Sequence, residues 1–157
     1  MVSLRKMGEQ DTEAVLQLEI KEEQIGYVSP IEQILARVEP SRDYHLLEMG
    51  GDIIGFFIID TAYAQKYAFA QPGDIGLLAY FVDARHQGKG FGKAGVKALY
   101  PYLQAQYPNA LSVVLTVNCR NLPAIKSYLQ GGFEDTQQLY HGGRSGPQHI
   151  MRMPLRD

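Results

Sequence analysis

Three glycines at alternate positions, Gly88, Gly90 and Gly92, with Lys89 and Lys93 beside them, are the residues of this chain best suited to hold a phosphate. Glycine adopts positive φ and lets the backbone approach a ligand closely. Successive N–H groups in such a turn, continued by a helix N-terminus, make an anion cradle. A turn needed only for tight strand–helix packing would require fewer glycines. A Walker A loop would place Ser or Thr after Gly92-Lys93, where Ala94 stands. The run Gly90 to Gly95 matches the dinucleotide pattern G-x-G-x-x-G in letters only. That fingerprint expects an acidic residue about twenty positions on, at the end of the next strand. The segment Leu111 to Val117 carries none and is followed by Asn118.

A second group lies further along. Asn121, Ala124 and Tyr128 are spaced i, i+3 and i+7, so on a helix they share one face. Small Ala124 leaves room for a ligand between the other two. Leu122, Ile125 and Leu129 form a different stripe, suited to the core. Asn121 also stands where a helix N-cap would. Cys119 has no adjacent histidine to activate it, so a covalent acyl-cysteine route is not expected.

The elements that must position these residues follow from periodicity and breakers. Val2 to Met7 reads as a strand. Asp11 to Ile20 reads as a helix with Val15, Leu16 and Leu18 inward, and Ser29 caps a helix that opens at Pro30 and runs to Glu39. Tyr44 to Met49 and Ile53 to Asp60 form a hairpin across Gly50-Gly51-Asp52. Thr61 to Gly73 is an irregular tyrosine-rich stretch. Ile75 to Val82 is nearly all apolar, as in a strand buried on both faces. Helices are expected over Gly90 to Gln106 and Asn121 to Leu129, the second stopped by Gly131-Gly132. Between them lies the strand Leu111 to Val117, and Phe133 to Tyr140 and Gln148 to Leu155 close the chain around Gly142-Gly143. The order β-α-α-β-β-β-α-β-α-β-β is that of an α/β or α+β fold with helices on both faces of a twisted sheet.

Gln87-Gly88-Lys89-Gly90-Phe91-Gly92 resembles the Q/R-x-x-G-x-G/A signature of the GNAT superfamily of N-acetyltransferases. Phe81-Val82-Asp83 fits the strand that ends in this loop. Asn121-Leu-Pro-Ala-Ile-Lys-Ser-Tyr128 with Gly131-Gly132-Phe133 is similar to the family's N-x-x-A-x-x-x-Y…G-F segment. The resemblance covers essentially the whole chain, and implies one N-acetyltransferase domain over residues 1–157 with a mixed, mostly antiparallel sheet. It implies acetyl-CoA as cosubstrate and no metal. Gln87, Gly88, Lys89, Gly90, Phe91, Gly92 and Lys93 would be backbone donors to the pyrophosphate. Val82 would meet the thioester or pantetheine through its backbone, Asn121 would contact the pantetheine, and Tyr128 would lie near the sulfur. The segment Gln24-Ile-Gly-Tyr-Val28, with the helix after it and the hairpin strand carrying Gly55-Phe56-Phe57, loosely resembles bacterial spermine/spermidine acetyltransferases.

The chemistry so implied needs a proton acceptor and a proton donor. An amine of pKa about 10.4 is protonated at neutral pH, and freeing it costs roughly 4–5 kcal/mol. Glu19, Glu22, Glu23, Asp60 and Asp74 are candidate bases, with a water chain as the alternative. A tyrosine hydroxyl suits the departing thiolate, which makes Tyr128 the candidate general acid. Tyr27, Tyr63, Tyr67 and Phe69 are candidate walls of the acceptor pocket. The acceptor is a small amine such as a polyamine, an aminoglycoside or an amino acid. A protein N-terminus or lysine, or a non-catalytic coenzyme A-binding regulator, are the competing readings.

Bulk properties bound these readings. The chain has 157 residues, 45% hydrophobic and 20% charged, with formal net charge −2, which suits a soluble domain. Without a basic excess, neither nucleic acid nor a membrane surface is an expected partner. No apolar run approaches the roughly eighteen residues of a membrane span, and no signal-peptide h-region opens the sequence. One cysteine and four histidines give no disulfide framework and no metal-ligand spacing. A cytoplasmic protein is expected, with the oligomeric state open and a homodimer one possibility.

Overall fold

The computed structural model describes residues 1–20, 29–143 and 145–157. Its strands are β1 (Val2–Lys6), β2 (Arg42–Met49), β3 (Asp52–Asp60), β4 (Asp74–Val82), β5 (Ser112–Asn118), β6 (Glu134–Tyr140) and β7 (Gln148–Pro154). Its helices are α1 (Thr12–Leu16), α2 (Ile31–Ala36), α3 (Tyr63–Lys66), α4 (Phe91–Gln106) and α5 (Leu122–Gln130). The strands form one sheet in the order β1-β2-β3-β4-β5-β7-β6. Every pairing is antiparallel except β4 with β5. This is the expected mixed architecture and element order, with one added helix.

Side-chain alternation along the central strands builds two cores. Leu47, Phe57 and Ile59 face α4 and α5, packed with Val96, Leu99 and Leu103. Their neighbours Leu46, Phe56 and Ile58 face α1 and α2, packed with Val15, Leu18, Ile31 and Ile34. Burial on both faces explains the unbroken apolar run of β3. At the hairpin, Gly50 and Gly51 take φ of 59° and 87°, the left-handed pair that a tight two-residue turn requires.

Several expectations need correction. The first helix stops at Leu16, so Leu18 is buried beyond its end while Leu16 is exposed. Pro30 occupies the cap of α2 and Ser29 precedes it; the helix ends at Ala36, three residues short of Glu39. The tyrosine-rich stretch holds α3, because Tyr63 packs into the space left by Gly76, where a Cβ would overlap its ring. Tyr67 and Phe69 close over Tyr63 with ring centroids at 4.6 and 5.9 Å. Strand β4 is not buried throughout, since Leu78, Ala79 and Tyr80 are half-buried.

That exposure has a topological cause. β4 pairs with β5 only over Asp74–Gly76 against Ser112–Val114. Beyond that point β5 stays with β7 as far as Asn118 and Gln148, and the two parallel strands part. The closed end of this wedge is pinned by Asp74, which accepts from Arg152 Nη1 and from the Gln71 N–H, each at 2.7 Å.

A buried polar knot ties β2 to the end of α4. His45 is fully enclosed and stacked on Phe57 at 5.0 Å. Tyr107 donates to Asp43 Oδ2 at 2.7 Å, so its oxygen is left to accept from His45 Nε2 at 2.8 Å. Nδ1 therefore accepts from the Tyr102 hydroxyl at 2.6 Å, which assigns a neutral ring protonated at Nε2. Burial depresses the His45 pKa, and the Asp43 carboxylate only partly offsets it, leaving about 4 against an ordinary 6.5. The unfolded chain thus binds the extra proton first. The His45 contribution is complete above pH 6.5 and is lost as pH falls from there towards 4. Urea unfolding should show about 2 kcal/mol less stability at pH 5 than at pH 7.5. His45→Gln, which does not titrate, should flatten that window; equal slopes in both proteins would refute the assignment.

Candidate active site

The parted strands enclose a cleft of about 720 Å³. One wall is β4 from Leu77 to Val82, the other is β5 from Leu115 to Asn118, and the glycine loop and α5 close its ends. Asp83 turns the chain out of β4. Its N–H donates to Ile54 O at 2.7 Å, across the β3 edge. By strand alternation, Val82 directs its own N–H and C=O to the opposite edge, towards the cleft. The Val82 carbonyl accepts from Gln87 Nε2 at 2.9 Å, which folds the loop back onto the strand end.

Gly88 and Gly90 lie at φ of 80° and 81°, and Gly90 is the N-cap of α4 with no side chain to cap it. The first N–H groups of α4 have no intrahelical partner, and the residues that carry them, Phe91, Gly92 and Lys93, line the cleft. A Cβ at Gly88 or Gly90 would meet nothing within 4 Å, so backbone angle and not space demands glycine there. At Gly92 a Cβ would stand 3.5 Å from Val82 Cγ2, an ordinary contact.

Across the cleft, Asn121 occupies the α5 N-cap position but its side chain makes no cap bond. Tyr128 is buried apart from 9% of its surface and meets Phe133 and Tyr80 edge-on at 5.5 and 6.1 Å. Burial alone pushes its phenol pKa above the ordinary value, so the group is a fully protonated donor at neutral pH. Among the described residues no carboxylate lines the cleft, and Lys93 is the sole lysine in its wall.

The profile of the acetyltransferase (GNAT) family matches residues 8–133. The chain belongs to that family. Spermine/spermidine N(1)-acetyltransferase of Bacillus subtilis is 26% identical over 147 residues, spanning 90% of this chain and 93% of the relative. Among solved structures, an aminoglycoside acetyltransferase in complex with coenzyme A and kanamycin superposes with a TM-score of 0.77 at 22% identity, over 98% of this chain and 95% of that one. Spermidine N-acetyltransferase from Vibrio cholerae, in complex with CoA and spermine, gives 0.71 at 17% identity, over 98% and 95%. These two likenesses carry the fold. Family membership makes the chain an N-acetyltransferase.

The structure gathers Val82, Gln87, Gly88, Gly90, Phe91, Gly92, Lys93, Asn121 and Tyr128 around this one cleft; Lys89 lies outside its wall. Other candidates are placed elsewhere. Asp60 is buried against Lys66 Nζ at 2.6 Å. Burial raises its pKa, but bonds from Lys66 and the Ala62 N–H outweigh this and hold it below the usual range. Asp74 pins the closed end of the wedge. Glu19 is exposed beside Arg85 at 3.8 Å. Tyr63, Tyr67 and Phe69 form their own cluster with Tyr140; none of them is in the cleft wall, but the cluster backs onto it through Leu78 and Thr116. On α5 the stripe expected in the core is largely outside: Leu122 and Leu129 are 68% and 48% exposed, because the Tyr128 face is the inward one. Cys119 lies outside the cleft wall. Glu22, Glu23, Tyr27 and the Gln24–Val28 segment fall outside the described residues.

Sequence reasoning missed Tyr80, Asn118 and Ser145. Tyr80 carried a signal, since a hydroxyl in a strand read as buried must find a partner. Asn118 and Arg120 both donate to Ser145 O, at 2.8 and 2.6 Å, latching the β6–β7 loop over the cleft. Their separation in sequence left no local pattern to read.

The two loop glycines should respond to alanine with opposite sign. Gly90→Ala forces a left-handed alanine and should cost about 1–2 kcal/mol of stability. Gly92→Ala has room and a helical backbone, so it should gain up to about 1 kcal/mol. Denaturant midpoints of both variants check this; a destabilised Gly92→Ala would contradict the geometry.

Proposed function

We propose that this enzyme moves an acetyl group from acetyl-CoA to a primary amine by direct attack of the amine on the thioester, with Tyr128 as general acid, the whole chain acting as one domain. The carrying observation is the wedge itself: a phosphate-type cradle at one end, a parted strand along one side, and a protonated phenol in the opposite wall. Backbone N–H groups from Gln87 to Lys93, with the α4 N-terminus, suit the pyrophosphate. The amide-bearing pantetheine arm adds to parted β4 as a further strand would, with Asn121 facing it. With its carbonyl already held by Gln87, Val82 offers its N–H, which can polarise the thioester carbonyl.

Proton traffic follows from the charges. Since no described carboxylate lines the cleft, the amine proton leaves through a water chain or through Glu19, Glu22 or Glu23. A thiolate of parent pKa about 8.5 is a weaker base than a buried phenolate, so full transfer from Tyr128 is uphill by roughly 2 kcal/mol on parent values. The phenol acts first as a hydrogen bond that strengthens as charge builds on sulfur. Burial raises the phenol further, and confinement of the thiolate beside it raises the thiolate's basicity in the same direction, so the two shifts offset in part.

The acceptor is read as a polyamine or another small amine, on the strength of the Bacillus subtilis relative. An amine panel that includes spermidine, with free thiol release from acetyl-CoA as the signal, tests this. Release with other amines but none with spermidine would dismiss the polyamine. Coenzyme A binding with release from no amine would indicate a regulator that kept the fold. Coenzyme A, and not NAD, should raise the melting temperature.

Tyr128→Phe keeps the ring and removes the donor. Acetyl transfer at saturating acetyl-CoA should slow by about 10²–10³-fold, with stability and coenzyme A affinity little changed. Pre-steady-state measurement isolates that step from product release. Unchanged transfer there would remove Tyr128 from the reaction.

A further inference from the structure

Tyr80 borders the cleft, and its hydroxyl is committed to Gly92 O, in the first turn of α4, to which it donates at 2.6 Å. The helix can pass this closely because residue 95 is glycine. A Cβ there would overlap the Tyr80 hydroxyl and a Leu47 methyl. The Tyr80 ring lies edge-on to Tyr128 at 6.1 Å and against Phe57 at 6.0 Å. Its aim is set by the preceding residue. Ala79 has φ of 53°, within a bulge where Ile58 pairs with Leu78 but Phe56 pairs with Phe81. Bulges of this kind redirect a side chain. One residue thus touches the strand that leads to Val82, the helix turn that carries the cradle, and the ring of the candidate acid.

We propose that Tyr80 is a positioning residue that sets the separation between the anion cradle and Tyr128, its hydroxyl holding the first turn of α4 and its ring holding the Tyr128 ring. This rests on the reading of the cleft as the acetyl-CoA site. A donor molecule anchored by its pyrophosphate has a fixed length to its sulfur, so the two ends of the site must stay in register.

The hydroxyl and the ring therefore have separable effects. Tyr80→Phe removes only the bond to Gly92. Coenzyme A affinity by calorimetry, and KM for acetyl-CoA, should weaken about three- to tenfold. Transfer from acetyl-pantetheine, which lacks the pyrophosphate, should change by about twofold or less. Tyr80→Leu removes the ring as well and should lower kcat at saturating donor by about tenfold or more. A residue with a packing role alone would lower melting temperature and leave this split absent. Equal weakening of acetyl-CoA and acetyl-pantetheine by Tyr80→Phe, or no change in coenzyme A affinity, would overturn the proposal. If Tyr80→Leu does not fold, the Tyr80→Phe comparison decides it. Failure of the unaltered chain to bind coenzyme A would remove the reading of the cleft and this assignment together.

Discussion

The parting of β4 from β5 after Gly76 and Val114 is the constraint on which the site depends. β5 has its other edge committed to β7 along its full length, and β4 is held by β3 on its far side. Neither strand can follow the other without breaking a longer ladder. The bulge at Ala79 fixes the divergence, at a local cost of about 1–2 kcal/mol for a left-handed alanine. What the wedge leaves is a strand edge whose N–H and C=O groups face a cleft and not a neighbour. Such groups must be met by water or by ligand, and an extended amide-bearing arm meets them in the way a strand does.

A wedge that opens needs both lips held. On the β4 side the holder is Asp83, fully enclosed, which accepts from the Glu19 N–H at 3.0 Å and from Arg85 Nη2 at 2.9 Å. Burial pushes its carboxyl pKa up, but bonds from Arg85 and Glu19 prevail and keep it charged. Arg85 then reaches Gln17 O at 3.0 Å, so the end of the first helical segment is bound to the start of the glycine loop. On the β5 side, Asn118 and Arg120 share the Ser145 carbonyl. Each lip is thus fixed by polar groups one to three residues from a residue with a proposed role: Val82 on one side and Asn121 on the other.

How much of this was legible in the sequence depends on the range of each signal. The cradle could be read because its parts are contiguous, and glycine at positive φ is a local necessity. The Asn121–Tyr128 face could be read because helical spacing is local too. The opposite stripe of α5 was misread because Leu122 and Leu129 are apolar but face outward, and hydrophobicity alone does not say which face the sheet takes. The pairing of β4 with β5 is a long-range matter, so an apolar strand looked buried where it borders a cleft. Asp74 and Asp60 looked free to act as bases because their partners, Arg152 and the turn around Lys66, are joined to them only by the fold.

The fate of these carboxylates shapes the chemistry left to the site. Asp11 is held by Arg5 and the Gly8 N–H, with its pKa lowered to about 2, and Asp60, Asp74 and Asp83 are each bonded to a cation. A carboxylate fixed in this way cannot accept a proton without losing its partner, which makes it a poor general base. The buried acids therefore serve geometry: they pin the closed end of the wedge, the loop entry and the sheet ends. The described cleft is left with amides, hydroxyls and the Lys93 ammonium. In such a wall a phenol whose pKa is raised by burial stays protonated over the whole physiological range, and on the proposed reading the base that takes the amine proton is not among the described residues of that wall.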